Sequence, residues 1–149
     1  MLRVLTVTFI VQILLLRYII SGETGINLFL IVTIEMALIK GSLYGEVTGF
    51  ITGLIEDVAH MGVIGSRALI RTLVGFLTGS LKGKFAAGNI LFQFIVTFIV
   101  FVVHGIFIYL LRLVFGLPPS SLHRLFMNAG LNGLIAPLIY SLLKGTDAG

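Results

Sequence analysis

The sequence predicts an all-α integral membrane protein, folded as a bundle of six transmembrane helices. The chain has 149 residues, of which 58% are hydrophobic and only 11% are charged, whereas soluble domains carry about 25% charged residues. Six apolar segments are separated by short connectors, and two mirrored rows of glycine follow one another in the middle of the chain. We therefore expect a single polytopic domain over residues 1–149.

Six segments approach the roughly 20 apolar residues that a helix needs to cross a bilayer core. They cover residues 2–20, 26–40, 42–58, 66–81, 89–115 and 124–143. The first lacks a small-x-small cleavage site after its apolar run, so we interpret it as a retained helix rather than a secretion signal. Short connectors predict that neighbouring helices pack up and down.

Polar residues distinguish the individual segments. Glu35 interrupts the short second segment and is expected to pair with Lys40 near the membrane surface. Pro118 and Pro119 end the long fifth segment, because proline cannot continue a helix. In the sixth segment Asn128 and Asn132 share one helical face, which predicts hydrogen bonds to other helices.

The third and fourth segments carry residues repeated at intervals of four, which stack on one helical face. The first row is Gly41, Gly45, Gly49, Gly53 and Asp57; the second is Arg67, Arg71, Gly75, Gly79 and Gly83. Glycines at this spacing let helix backbones approach closely in lipid. The rows therefore predict packing through Gly45, Gly49, Gly53, Gly75 and Gly79, either against each other in an antiparallel hairpin or against a helix of another protein.

Charged residues cluster at the loop end of this hairpin. Asp57 would arrive level with Arg67 and Arg71, and Glu56 and His60 lie beside it in the sequence. One interpretation is an interfacial salt bridge that closes the hairpin; the other is a polar pocket on the outer face that binds a ligand or partner. Ser66 is expected to cap the fourth helix through its hydroxyl.

Composition and motifs argue against several function classes. The chain has no cysteine, which excludes disulfides and thiolate chemistry. No metalloprotease motif, nucleophile triad or phosphate loop occurs; we predict no enzymatic activity, no cofactor and no metal. The net charge is +4, but its basic residues are dispersed, which fits membrane orientation rather than nucleic-acid binding. The loop and tail lysines favour cytoplasmic termini.

The stretch 45–81 resembles the signature of the rod shape-determining protein MreD family. A glycine-rich helix ends in a Gly-Leu-x-x-Asp element, here Gly53 to Asp57, and a short loop with glycines follows. The next helix contains Ala68-Leu69 and Val74-Gly75-Phe76. The resemblance implies a non-enzymatic protein of the bacterial inner membrane that acts in cell shape and cell-wall (peptidoglycan) elongation. It implies binding to MreC, a single-pass protein, and an indirect link to MreB, RodA and a class B penicillin-binding protein.

A second resemblance is to the substrate-binding subunits of energy-coupling-factor transporters, which are also six-helix membrane proteins of similar size. They share a glycine-rich segment followed by an aspartate and a glycine loop. They commonly dock on the transporter through small residues in the first helix. This chain has no alanine or glycine between Met1 and Ser21. That departure weakens the alternative that it captures a vitamin-like nutrient for such a transporter.

Overall fold

The chain folds into helices joined by short turns. The computed structural model describes residues 25–59, 65–84, 89–116, 118 and 121–147. Its five helices are α1 (Leu28–Lys40), α2 (Ser42–Ala59), α3 (Ser66–Gly79), α4 (Ile90–Val114) and α5 (Leu122–Asp147). The described part contains no strand, so the all-α prediction is confirmed there. The first predicted segment, 2–20, lies outside the described residues.

Two of these helices have the length and composition of membrane spans. They are Ile90–Val114 and Leu122–Lys144. The helices α1 and α3 have 13 and 14 residues, which is short for a crossing of a hydrocarbon core about 30 Å thick. Helix α2 has 18 residues but includes Glu46, Glu56 and Asp57. The six-span architecture therefore remains a prediction.

Helix α1 lies at the centre of the described bundle. Every residue from Leu28 to Leu38 is buried, as expected for a helix that is apolar all round. Its side chains pack with Ile70 and Val74 of α3, and with Ala129 and Ala136 of α5. Protein therefore covers this helix on its whole circumference.

Packing at the two ends of α1 fixes its direction relative to α5. The backbone N–H of Asn27, just before α1, donates to the Oδ1 of Asn132 over 2.9 Å. At the other end Met36 packs with Leu143. The two helices therefore run in the same direction, and the last turns of α1 and α5 lie at the same end of the bundle.

Helices α2 and α3 pack backbone to backbone along their glycines. A Cβ added at Gly45 or Gly49 would lie closer than 3.0 Å to backbone atoms of Gly75 or Arg71, respectively. Additions at Gly53 and Gly79 would meet the backbone of Ala68 and Ser42 within the same limit. The two rows thus face each other, and a helix of another protein has no access to them.

The remaining pair, α4 and α5, is antiparallel. Gly105 packs against Leu125 at one end, and Gly133 packs against the ring of Phe94 further along. The outward side chains of this pair are large and apolar, including Ile99, Val103 and Leu134. Such a surface is compatible with acyl chains.

The close contact of α2 and α3 can be tested with one chemical change at two positions. Gly75→Ala should lower the free energy of unfolding in detergent by about 1 to 3 kcal/mol, because the added methyl group collides with the backbone of α2. Thermal unfolding of the purified chain measures the effect.

Gly130→Ala is the matched control, since nothing lies within 4 Å of a Cβ at that position of α5. It should leave the midpoint unchanged or raise it, because alanine is the better helix former. Equal midpoints for the two variants would contradict the packing of the glycine rows.

Candidate functional site: a buried polar cluster

Polar side chains from four elements meet around Glu56. They are Asn27 before α1, Glu56 and Asp57 in the last turn of α2, Arg67 and Arg71 in α3, and Asn132 in α5. We call these six residues the polar cluster. Most of its members are buried, and Arg71 is fully inaccessible to solvent. Burial of such groups is costly unless they are paired and hydrogen-bonded, so the contacts among them matter.

Asp57 caps the start of α3. Its carboxylate accepts hydrogen bonds from the backbone N–H groups of Gly65 at 2.9 Å, Arg67 at 3.2 Å and Ala68 at 3.1 Å. These are amides that a helix leaves without partners at its N-terminus, where a negative charge is also favoured by the helix dipole. Asp57 therefore joins the end of α2 to the start of α3.

This arrangement corrects the expectation for Ser66. The N-cap position of α3 is Gly65, which adopts a left-handed conformation at φ 90° and provides no side-chain cap. The carboxylate of Asp57 supplies the acceptor from the neighbouring helix instead. A serine hydroxyl within the first turn is therefore not needed to satisfy these amides.

Glu56 forms the ion pairs that were expected mainly of Asp57. Its carboxylate pairs with the Nη2 of Arg71 and lies 3.3 Å from the Nε of Arg67. Asp57 makes a longer pair with Arg67, 3.6 Å from Nη1. The predicted contact between Asp57 and Arg71 is wrong in this detail, because the two carboxylates project about 100° apart on α2 and only that of Glu56 points toward Arg71.

Asn27 connects the ion pair to α1 and α5. Its Nδ2 donates to both carboxylate oxygens of Glu56 at 3.2 Å, and its Oδ1 accepts from the Nη2 of Arg71 at 3.0 Å. The same oxygen accepts from the N–H of Leu30 at 3.0 Å, which makes Asn27 the N-cap of α1. One side chain thus begins a helix and completes a buried salt bridge.

Asn132 holds the chain just before α1. Its Nδ2 donates to the carbonyls of Gly25 and Asn128 at 2.7 Å each, and its Oδ1 accepts from Asn27 as described above. The interhelical hydrogen bonding predicted for Asn132 is therefore present. Asn128 contributes its backbone carbonyl, while its side-chain Oδ1 is buried with no hydrogen-bond partner.

Asn132, the residue that α5 contributes to the cluster, lies partway along that helix and not at its end. Asn132 is ten residues after Leu122, where α5 begins, and ten residues of helix span roughly 15 Å. Helix α5 therefore extends roughly 15 Å beyond the level of the polar cluster. His60, the remaining residue of the predicted site, lies outside the described residues.

The chemistry of the cluster fits a structural role. Its two carboxylates balance its two guanidinium groups. The Nη2 of Arg71 is engaged by Glu56 and Asn27, while its buried Nε and Nη1 have no hydrogen-bond partner. Within the described ranges no group of three or more His, Asp or Glu side chains could hold a metal ion. His104 of α4 is half-buried, and its buried Nε2 has no hydrogen-bond partner.

Glu35 stands apart from the cluster. Its side chain is fully buried in α1, and neither carboxylate oxygen has a hydrogen-bond partner. The expected pairing with Lys40 is therefore wrong. The reason is geometric, because five residues of helix turn the two side chains roughly 140° apart.

Comparison with protein-family models decides the identity of the chain. Residues 1–146 match the model of the rod shape-determining protein MreD. The chain belongs to the MreD family. Comparisons with curated proteins and with solved structures gave no significant match.

Membership of the MreD family establishes the general role of the protein. MreD proteins are membrane proteins of the rod shape-determining system, and they act there as structural components. The match covers almost the whole chain, including the hairpin and the polar cluster. The alternative of a transporter subunit receives no support from the comparisons.

Loss of the Asp57 cap should weaken the start of α3. Asp57→Ala should lower the free energy of unfolding by about 1 to 2 kcal/mol, because three backbone amides lose their acceptor. Asp57→Asn should lose less, since its amide oxygen still accepts. Thermal unfolding in detergent compares the variants.

A charge exchange separates this cap from a simple salt bridge. The double variant Asp57→Arg with Arg67→Asp should not recover the stability of the original chain, because an arginine cannot accept from amides. Recovery to the original midpoint would show that the charge pair, and not the cap, is the stabilising interaction.

The Glu56–Arg71 pair should behave as a coupled unit. Arg71→Leu should cost about 3 to 5 kcal/mol in the free energy of unfolding, because it leaves a buried carboxylate without its main counter-charge. Adding Glu56→Leu should recover part of that loss. The control is Arg124→Leu, at an exposed position of α5, which should change the unfolding midpoint little. If the effects of Arg71→Leu and Glu56→Leu are independent and additive, the two residues are not coupled.

Proposed function

We propose that this MreD-family protein works without catalysis as a multi-pass component of the bacterial inner membrane. In this proposal it binds a single-pass, MreC-like partner within the lipid. Through that partner it joins the elongation machinery, which includes MreB, RodA and a class B penicillin-binding protein. No cofactor takes part, and the termini lie on the cytoplasmic side.

The observation that carries this proposal is a pair of exposed apolar rows on the α2–α3 hairpin. The row on α2 consists of Leu43, Val47, Phe50 and Leu54; the row on α3 consists of Leu69, Leu73 and Phe76. Both rows follow the alternating spacing of four and three residues that is typical of helix–helix contacts. Neither row belongs to the side that packs on α1. In the proposal these two rows form two apolar ridges on the hairpin, against which a third helix packs.

The rigidity of the hairpin supports docking at this surface. In lipid, helices associate through close van der Waals fit rather than through the hydrophobic effect. Close fit requires a surface of fixed shape. The backbone contact along the glycines and the Asp57 cap fix the separation and register of α2 and α3, so the ridges keep one arrangement. Binding then costs little conformational ordering.

The positions of the basic residues support the proposed orientation. The Nζ of Lys82 donates to the carbonyl of Lys40 at 3.0 Å. Lys84 follows α3, and Lys144 lies in the last turn of α5 at the same end of the bundle. At the opposite end Arg67 and Arg71 are engaged by Glu56. Apart from these two arginines the opposite end has Arg112 and Arg124, whereas the lysine end has Lys40, Lys82, Lys84 and Lys144. Counted in this way, the larger number of basic residues favours a cytoplasmic location for the lysine end.

Site-directed crosslinking tests the docking surface directly. The natural chain has no cysteine, so a single cysteine can report on one position. Leu73→Cys on the α3 ridge should crosslink to cysteines placed along the membrane helix of a co-expressed MreC-like partner. Crosslinked products are measured by mobility in denaturing gels.

Val103→Cys on α4 is the matched control, because Val103 and Leu73 are 49% and 50% exposed and both are apolar. It should give no crosslink above background. Crosslinks at Val103 without crosslinks at Leu73 would move the docking surface to α4. Copurification without any crosslink at the hairpin would also refute the proposed surface.

A further inference from the structure

We propose that an anionic phospholipid binds in the groove between α4 and α5 at the lysine end of the bundle. Its acyl chain would lie along the groove, and its headgroup phosphate would contact Lys144. This inference concerns a different surface from the partner-binding ridges of α2 and α3. The partner-binding surface can therefore fail without this inference failing, although the inference rests on the proposed cytoplasmic location of the lysine end.

The groove is open on one side and has a volume of about 710 Å³. Its lining includes Ile90 at the start of α4, and Pro137, Leu138, Ser141 and Lys144 on α5. A neighbouring hollow of about 570 Å³ shares Ile90 and Pro137 with it. The two hollows therefore adjoin each other and together form one depression along α5, from Lys144 to Gly133.

The inner part of this depression is apolar. It is lined by Leu91 and Phe94 of α4 and by Gly133 and Leu134 of α5. Gly133 lies against the ring of Phe94 and has no side chain to fill the space. An extended acyl chain fits such an apolar, elongated hollow better than a compact polar ligand does.

The outer part of the depression carries a single positive charge. The Nζ of Lys144 lies 5.8 Å from the centroid of the Tyr140 ring, and none of the residues that line the groove is acidic. The hydroxyl of Ser141 donates to the carbonyl of Leu138 and so leaves the wall uncharged. A phosphate group at the membrane surface would meet the ammonium group of Lys144 there.

Other lysines at this end add to the attraction. Lys40 ends α1, Lys82 and Lys84 follow α3, and the Nζ of Lys82 donates to the backbone carbonyl of Lys40. Anionic lipids are attracted to clustered basic residues at the cytoplasmic surface. The charge therefore selects an anionic lipid over a zwitterionic one, while the apolar hollow accepts the chain of either.

Lipid binding to the full chain in detergent tests this inference. The probes are fluorescent phosphatidylglycerol and fluorescent phosphatidylcholine with identical acyl chains. Lys144→Ala should weaken phosphatidylglycerol binding about fivefold, the effect of one lysine near a charged lipid. Its binding of phosphatidylcholine should not change.

Two further variants separate the groove from general lipid contact. Arg124→Ala removes a basic side chain from the opposite end of the same helix and should leave both affinities unchanged. Ser141→Phe should weaken the binding of both lipids, because the ring fills the groove without altering its charge. The proposal is overturned if Lys144→Ala binds phosphatidylglycerol as tightly as the original chain does. It is also overturned if Lys144→Ala and Arg124→Ala lose the same amount of affinity.

Discussion

The contact between the backbones of α2 and α3 is the constraint on which the remaining structure depends. Glycines at Gly45, Gly49, Gly53, Gly75 and Gly79 remove every side chain that would hold the two helices apart. In lipid this close approach supplies the van der Waals contact that replaces hydrophobic driving force. It also brings the last turn of α2 to the first turn of α3, where Asp57 can accept three amide hydrogen bonds. Without that approach the cap and the ion pairs beside it could not form.

The polar cluster extends this local contact to the other helices. Glu56 and Arg71 pair across the hairpin, Asn27 ties the pair to α1, and Asn132 ties Asn27 to α5. Hydrogen bonds of this kind are directional and can be formed in only one register, whereas apolar packing tolerates small shifts. The glycines thus set the distance between two helices, and the cluster sets the position of four elements along the bundle axis. The result is a frame held together by directional contacts, with apolar outer faces.

Sequence reasoning located the local features well and the distant ones poorly. The four-residue spacing of the glycines is visible in any window of the sequence, and the limits of α2 through α4 follow from glycine, asparagine and proline near their ends. Whether Glu56 or Asp57 pairs with Arg71 depends on how α2 is rotated about its axis. The sequence does not reveal that rotation, because the two residues are adjacent. Asn27 was missed because its partner Asn132 is 105 residues away; its only local signal is an asparagine before an apolar run, typical of an N-cap. The burial of α1 on all sides was also hidden, since lipid and protein interior select the same apolar residues.

The most direct measurement is magnetic resonance of the full chain in lipid nanodiscs, with protons retained only on glycine. The account predicts a cross-peak between the α-protons of Gly45 and Gly75, because only backbone contact brings those protons together. A spectrum in which both residues show contacts to acyl-chain protons, and none to each other, would contradict it.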